Sequence, residues 1–518
     1  MAGKLVCFLV LWFKLTVGLR QALDKPNIII FLADDMGYGD LSSYGHPSQE
    51  FGPVDQMGRE GMRFTQWYSA ALFCTPSRGA MLTGRYPVRI GLYSTSKQIY
   101  LPVFVPASRF GLPKEEVTMA EALRDLGYAT GMNGKWHLGI NEFNYKDGNH
   151  LPMHHGFDFV GTTLPFSLVW RCDNTKKLLP IPDRPFCFLY SNDTIRQQPF
   201  NPHNLTSTLL LEAKSFVYNH QDEPFFFYFS FPQTHSNLFS SEDFKNSSRR
   251  GPYGDNVNEM SWAVGEMLKL LRELNLERNT LAIFLSDHGP EREMCKEGGS
   301  ADPLKGWKGT SWDGGVRVPA IAWWPGTLPA DVTNHEVISS MDLFNTAIDL
   351  AGGTPPTDRV IDGRSLKEVL LQGGKTPRET LFHYCGKHMM AVRYRQYKVH
   401  YHTQNLLTAN ELSEFCGPTS IPDKKGRNFC MDCGGTCVTT HDPPLIFNMD
   451  QDPKEEYPLD PQEYKDLLED VERLLSEHKA TMVMGKPLLN DLDKSLSPCC
   501  NPPYCWCNYS PVHTTGKI

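Results

Sequence analysis

Several short stretches of this chain carry side chains able to bind an anion, hold a metal or move a proton. Asp34-Asp35 follows the apolar run 27–32, and Ser286-Asp287-His288-Gly289 follows the apolar run 280–285. Together they offer three carboxylates and an imidazole, and carboxylate-rich sets suit a hard divalent cation, calcium or magnesium. Gly134-Lys135-Trp136-His137-Leu138-Gly139 places Lys135 and His137 two residues apart, so an extended segment would turn both to one face. The run that begins at Pro224 ends through Phe231 at His235, and Lys308-Gly309-Thr310 leads into the tight turn Trp312-Asp313-Gly314-Gly315. Arginine and lysine suit a tetrahedral oxyanion, and histidines can move its protons. Taken singly, each of these has a blander reading: an Asp capping a turn, a hydrogen-bonded structural histidine, a solvated lysine. Cys74-Thr75-Pro76-Ser77-Arg78 adds a thiol, which in isolation reads equally well as a buried core cysteine or half of a disulfide.

The elements that position these groups alternate in type. Continuous apolar runs at 27–32, 224–231, 280–285 and 318–324 predict buried strands, and helical periodicity marks 113–126, 205–218 and 256–274. Strands alternating with helices predict an α/β domain whose ligands bind beyond the strand ends. From about residue 376 the texture changes to short runs at 381–384, 389–394, 397–401 and 444–447, read as an antiparallel sheet, followed by an amphipathic helix at 462–479. The expected division is 1–22, 23–375 and 376–518, the last ending in a cysteine-rich tail.

With 518 residues, the chain is long enough for a large core. A net charge of −8 gives no reason to expect nucleic acid as a partner. Lys4 followed by the apolar run 5–13 reads as a secretory leader, cleaved after Gly18 or Ala22, and no later run is long enough for a spanning helix. Asn192, Asn204, Asn246 and Asn508 stand in glycosylation sequons. Of the 14 cysteines, those outside the leader and the Cys74 motif number twelve, enough for six disulfides in an oxidising compartment. Cys430, Cys433 and Cys437, or Cys499, Cys500, Cys505 and Cys507, could instead be zinc ligands; the leader favours disulfides.

Cys74-Thr75-Pro76-Ser77-Arg78, continued by Leu82-Thr83-Gly84-Arg85, resembles the signature of the sulfatases. The other stretches follow in that family's order, as do Gly156-Phe157-Asp158, Gly315-Val316-Arg317-Val318-Pro319, Ile361-Asp362-Gly363 and His441-Asp442-Pro443-Pro444-Leu445. The resemblance covers nearly the whole chain and is nearest the branch that contains arylsulfatase A and steroid sulfatase. It implies an alkaline-phosphatase-like fold with a central mixed sheet and a smaller C-terminal antiparallel sheet. It further implies a calcium-dependent hydrolase of sulfate monoesters in which Cys74 is oxidised to formylglycine. One hydroxyl of the hydrated aldehyde would attack sulfur, and the other would later expel sulfate.

By the same resemblance, Asp34, Asp35, Asp287 and His288 would hold calcium with the modified Cys74. Arg78 and Lys135 would support the hydrate, and Lys308 and His235 would bind sulfate and assist the departing oxygen. Lys135 and Ser167 would also contact the sulfate, and His137 would be the base that drives sulfate release. The implied partners are a sulfated small molecule or carbohydrate and the formylglycine-generating enzyme, with a homo-oligomer left open. The implied destination is the secretory pathway, lysosomal or extracellular. The chain departs from the pattern at His288, where an asparagine is usual, and at Gly52-Pro53-Val54-Asp55. Charged and proline-rich sequence between residues 161 and 204 replaces the membrane hairpin of the steroid sulfatase branch. Two rival readings stand beside this one: a phosphomonoester or phosphonate hydrolase of the same fold, and a non-catalytic extracellular-matrix or carbohydrate-binding protein.

Overall fold

A computed structural model describes residues 25–95, 101–166, 188–200, 202–417, 432–502, 505 and 507. The leader, Ser167, Cys430 and the Asn508 sequon lie outside these residues. Among the described residues, eleven strands form one mixed sheet: β1 (Asn27–Ala33), β2 (Met62–Tyr68), β3 (Ala129–Lys135), β4 (Phe159–Leu164), β5 (Leu189–Ser191), β6 (Thr194–Gln197), β7 (Phe225–Ser230), β8 (Thr280–Ser286), β9 (Arg317–Trp323), β10 (Val332–Asn334) and β11 (Ile338–Ser339). The spatial order is β10-β2-β9-β8-β1-β7-β3-β4-β5-β6, with β11 also on β2. At its centre β8, β1, β7 and β3 run parallel.

The continuous apolar runs are explained by burial on both faces, the usual condition of parallel strands. Ile28, Ile30, Leu32, Phe226 and Tyr228 pack on one side with the helices Cys74–Thr83, Met119–Asp125 and Asp342–Leu350. Ile29, Phe31, Ala33, Phe225, Phe227 and Phe229 pack on the other, under Pro53–Glu60, Leu205–Asn219 and Pro252–Glu273. The helix expected over 113–126 is shorter. Glu116 N closes a turn on the Pro113 carbonyl at 3.1 Å, and the helix starts only after Thr118, whose Oγ1 accepts from Glu121 N at 3.1 Å.

The second sheet, antiparallel, comprises β12 (Thr380–Cys385), β13 (His388–Tyr394), β14 (Tyr397–Gln404) and β15 (Val438–Asn448). Helix Lys465–Ala480 covers it with Val471 and Leu475 against Val392, Val399 and Ile446. Buried ion pairs tie this sheet to the first. Lys398 Nζ lies 2.7 Å from Asp313 Oδ1 and 3.1 Å from Glu455 Oε1, and Glu455 Oε2 accepts from Asp313 N at 2.7 Å.

The cysteine question resolves toward disulfides: Cys295–Cys416, Cys385–Cys433, Cys499–Cys505 and Cys500–Cys507 are bonded, and Cys437 is also disulfide-bonded. Zinc is therefore not what these residues hold. Cys74 is the free cysteine among the described residues. No described helix is long and apolar enough to cross a membrane.

Candidate active site

Parallel pairing brings the reactive residues to one edge of the sheet. Ala33 is in register with Ser286, Leu32 with Ser230, and Ser230 with Gly134. The residues that follow, Asp34, Asp287, Phe231 and Lys135, therefore emerge side by side at the carboxyl ends of four strands. Gly134 is required here: φ is +85°, and a Cβ would meet the Ser230 carbonyl oxygen at 1.7 Å.

The helix Cys74–Thr83 points its first turn into this edge, and the motif residues divide the work. Ser77 Oγ donates to the Asp287 carbonyl at 2.5 Å, and Thr75 Oγ1 donates to the His137 carbonyl at 2.8 Å and accepts from Phe104 N at 3.1 Å. Arg78, fully buried, reaches four groups: Nε to Asp287 Oδ2 at 3.0 Å, Nη2 to Asp34 Oδ1 at 3.1 Å, and Nη1 to Ser230 Oγ at 2.6 Å and the Lys135 carbonyl at 3.1 Å. Cys74 stands at the helix N-terminus, where backbone N–H groups favour negative charge. Burial opposes ionisation of its thiol, but Lys135 and Lys308 bring the pKa down to about 6.

Around Cys74 two sets of donors converge. Asp34, Asp287 and His288 form one with it, Asp35 and His235 another, and within each set the ligand atoms lie within 4.8 Å of one another. His288 Nδ1 donates to the Gly289 carbonyl at 2.9 Å, which turns Nε2 inward, 3.2 Å from Cys74 Sγ, 3.3 Å from Asp35 Oδ1 and 3.6 Å from Asp287 Oδ1. Burial penalises the charged ring, yet Asp287, Cys74 and Asp35 raise its pKa to about 9. The buried carboxylates thus call for a cation, and a divalent ion in place of the ring's second proton would leave Nε2 free as a ligand. That donor set, three carboxylates and one nitrogen, fits a hard divalent ion.

Cations line the other side. Lys135 Nζ contacts both oxygens of Asp34, at 2.6 and 2.5 Å. Burial raises the pKa of the Asp34 carboxyl while Lys135 and Arg78 lower it, and the net shift is downward. Lys308 Nζ lies 2.7 Å from Asp35 Oδ2 and 3.5 Å from His235 Nε2. Burial raises Asp35 to about 7 against the pull of His235 and Lys308. Three buried cations and a helix N-terminus facing one thiol make a site for an anion with several oxygens.

His137 departs from the expectation of an extended segment shared with Lys135. β3 ends at Lys135, and His137 has φ +60°. Its Nε2 lies 2.9 Å from the Phe104 carbonyl, so that nitrogen carries the proton. Burial, with Lys135 and Arg78 close by, keeps the ring neutral far below its ordinary pKa. A neutral ring is the form a base requires.

The structure brings together Asp34, Asp35, Cys74, Arg78, Lys135, His235, Asp287, His288 and Lys308 in one buried cluster, with His137 tied to it through Thr75. Asn192, Asn204 and Asn246 are exposed. Gly52-Pro53-Val54-Asp55 still starts a helix: Asp55 Oδ2 accepts from Gly52 N at 2.8 Å, and Ser261 Oγ accepts from Val54 N at 3.0 Å. Sequence reasoning missed Ser230, Thr75 and Glu291. Position at a strand end marked Ser230, while nothing local marked Glu291.

The sulfatase family model matches residues 26–353, and the model of the C-terminal region of aryl-sulfatase matches 376–507. The chain is 48% identical to an arylsulfatase of Hemicentrotus pulcherrimus over 96% of its own length and 89% of the relative's. It is 37% identical to human arylsulfatase A, covering 95% and 96%. Among solved structures it is similar to the PsFucS1 sulfatase from Pseudoalteromonas sp., with TM-score 0.75 and 26% identity over 93% and 94%. With these matches and the anion-binding cluster at the sheet edge, the chain belongs to the sulfatase family and is a sulfuric ester hydrolase of the arylsulfatase type.

Proposed function

We propose that this enzyme is a calcium-dependent sulfatase that cleaves the sulfate monoester of a small molecule or carbohydrate at a formylglycine made from Cys74. The convergence of Cys74 with Arg78, Lys135 and Lys308 on one side and with Asp34, Asp35, Asp287 and His288 on the other is the observation that carries this reading. Asp34, Asp35, Asp287 and His288 would hold the ion with residue 74, and calcium there would offset charge on the sulfuryl oxygens. The hydrated aldehyde would supply an attacking hydroxyl and a second one through which sulfate leaves.

The chain's own residues do the rest. Arg78 fixes Asp34 and Asp287 and, with Lys135, holds residue 74 in a field that favours an oxyanion. Lys308 and His235, 3.5 Å apart, meet the sulfate and its departing ester oxygen. The S–O bond to the alcohol breaks, and a proton from this pair neutralises the oxygen that leaves. Neutral His137 takes the proton whose removal releases sulfate. Ser167 is a further proposed sulfate contact. The division at 23–375 and 376–518, glycosylation at the sequons, modification by the formylglycine-generating enzyme and a lysosomal or extracellular destination complete the reading.

The test is mass spectrometry of the peptide spanning residues 73–78 together with turnover of 4-nitrophenyl sulfate before and after chelation. Formylglycine at position 74, activity lost to chelator and restored by calcium are expected. Unmodified cysteine in active enzyme would sink the mechanism.

A further inference from the structure

Glu291 lies three residues beyond His288 on the loop leaving β8, and its side chain is 16% exposed. Its Oε2 accepts a hydrogen bond from Ser236 Oγ at 2.8 Å, and its Oε1 lies 3.5 Å from Lys308 Nζ. The neighbouring Pro290 carbonyl accepts from Lys308 N at 3.0 Å, so the same loop holds both the backbone and the ammonium of Lys308. Ser236 directly follows His235, whose Nδ1 is bonded to the Ser236 carbonyl, leaving Nε2 directed to Lys308. One carboxylate therefore contacts Lys308 directly and holds the side chain of the residue that follows His235.

Asp35 is the other anionic partner of Lys308, at 2.7 Å. Under the proposed function, on which this inference rests, Asp35 is a calcium ligand. Its oxygens are then shared with a cation, and Glu291 is the carboxylate on Lys308 that stands outside the ligand set. The geometry points to Glu291 as a positioning residue for ester-oxygen departure: it fixes Lys308 directly and His235 through Ser236. Glu291 itself neither receives the proton nor touches the breaking bond. Its effect is to keep the two donors where the negative charge appears, which matters most when that charge is hardest to stabilise.

The experiment compares Glu291→Gln and Ser236→Ala with wild type on a series of aryl sulfates whose phenols range from acidic (4-nitrophenyl) to weakly acidic (phenyl). Both changes are close in size to the native residue, and either one cuts a different arm of the clamp. For Glu291→Gln, kcat should fall at least about tenfold more for phenyl sulfate than for 4-nitrophenyl sulfate, part of the hundredfold or greater contribution of a positioned proton donor. Ser236→Ala should steepen the dependence in the same direction. A residue that merely anchors the loop would lower all substrates in parallel. Parallel losses, or no loss, in the variant that folds would overturn the proposal while leaving the sulfatase reading intact. Wild-type enzyme that turned over none of the series would overturn the reading of the site and this proposal with it.

Discussion

Residue 74 is where one atom decides the outcome. A serine there offers a single hydroxyl in the field of Lys135 and Lys308, the two cations that already draw down the Cys74 thiol. Sulfuryl transfer to that hydroxyl needs no second oxygen, but release by collapse to an aldehyde does. Cys74→Ser should therefore stall with one sulfuryl group on the peptide containing residue 74, seen by intact-mass analysis after exposure to an aryl sulfate. His137→Ala, with the aldehyde present, should slow the same release half. Sustained turnover by Cys74→Ser at a near wild-type rate would favour direct attack by water instead. The neighbouring Arg78 is less tolerant for a different reason: its loss takes the guanidinium from buried Asp287 and leaves Asp34 to Lys135 alone, and breaking such a buried pair costs about 3–5 kcal/mol.

The helix Cys74–Thr83 shows how an element carries a motif's meaning. Cys74 and Arg78 read as chemistry in the sequence, whereas Thr75 reads as filler, although its hydroxyl joins the His137 carbonyl to Phe104 N. Thr75→Val keeps the shape and the cysteine, proline, serine and arginine around it, so conversion of Cys74 should persist. Two hydrogen bonds to buried backbone groups vanish, at a cost of about 1–3 kcal/mol each. The turn that presents His137 should loosen, lowering kcat about tenfold or more with little change in KM; unaltered kcat would show that Thr75 is dispensable to that turn. Of the main sheet, β1, β7, β8 and β9 were legible because burial on both faces leaves an unbroken apolar run, and the ends of β1 and β8 then gave the carboxylates; β3, with its glycines and asparagine, was not. The length of the helix at Met119–Asp125 was not, because periodicity is silent about where Thr118 caps it. Nor was Glu291 legible: three residues past His288 its neighbours Arg292 and Glu293 look like a solvated loop. Only the fold turns that loop onto Lys308, which comes later in the same connection between β8 and β9.

At the scale of the whole molecule, acid pH acts on histidines that the fold keeps neutral. His155 is completely buried, touching Trp136 at a ring distance of 5.6 Å, and neither ring nitrogen has a partner among the described residues. Burial, aided by nearby His150, His154 and Lys114, lowers its pKa from 6.5 to about 3. Burial likewise lowers His478 to about 4, with Arg89 and Lys479 adding to it. The sign follows from proton counting. Between these folded values and 6.5 the unfolded chain binds protons that the native chain refuses, so stability is full above about pH 6.5 and is lost as pH falls toward the folded pKa. For His155 alone, the loss between pH 7 and pH 5 is about 2 kcal/mol. An acidic compartment would therefore tax this fold unless bound calcium or glycans offset it. His155→Phe fills the same space beside Trp136 without a titrating group, so it should flatten this part of the profile. Urea unfolding at pH 7 and pH 5 measures the difference directly: the wild type should lose about 2 kcal/mol more than the variant on acidification. An identical loss in both would mean that His155 keeps its proton in the native state and that acid sensitivity arises elsewhere.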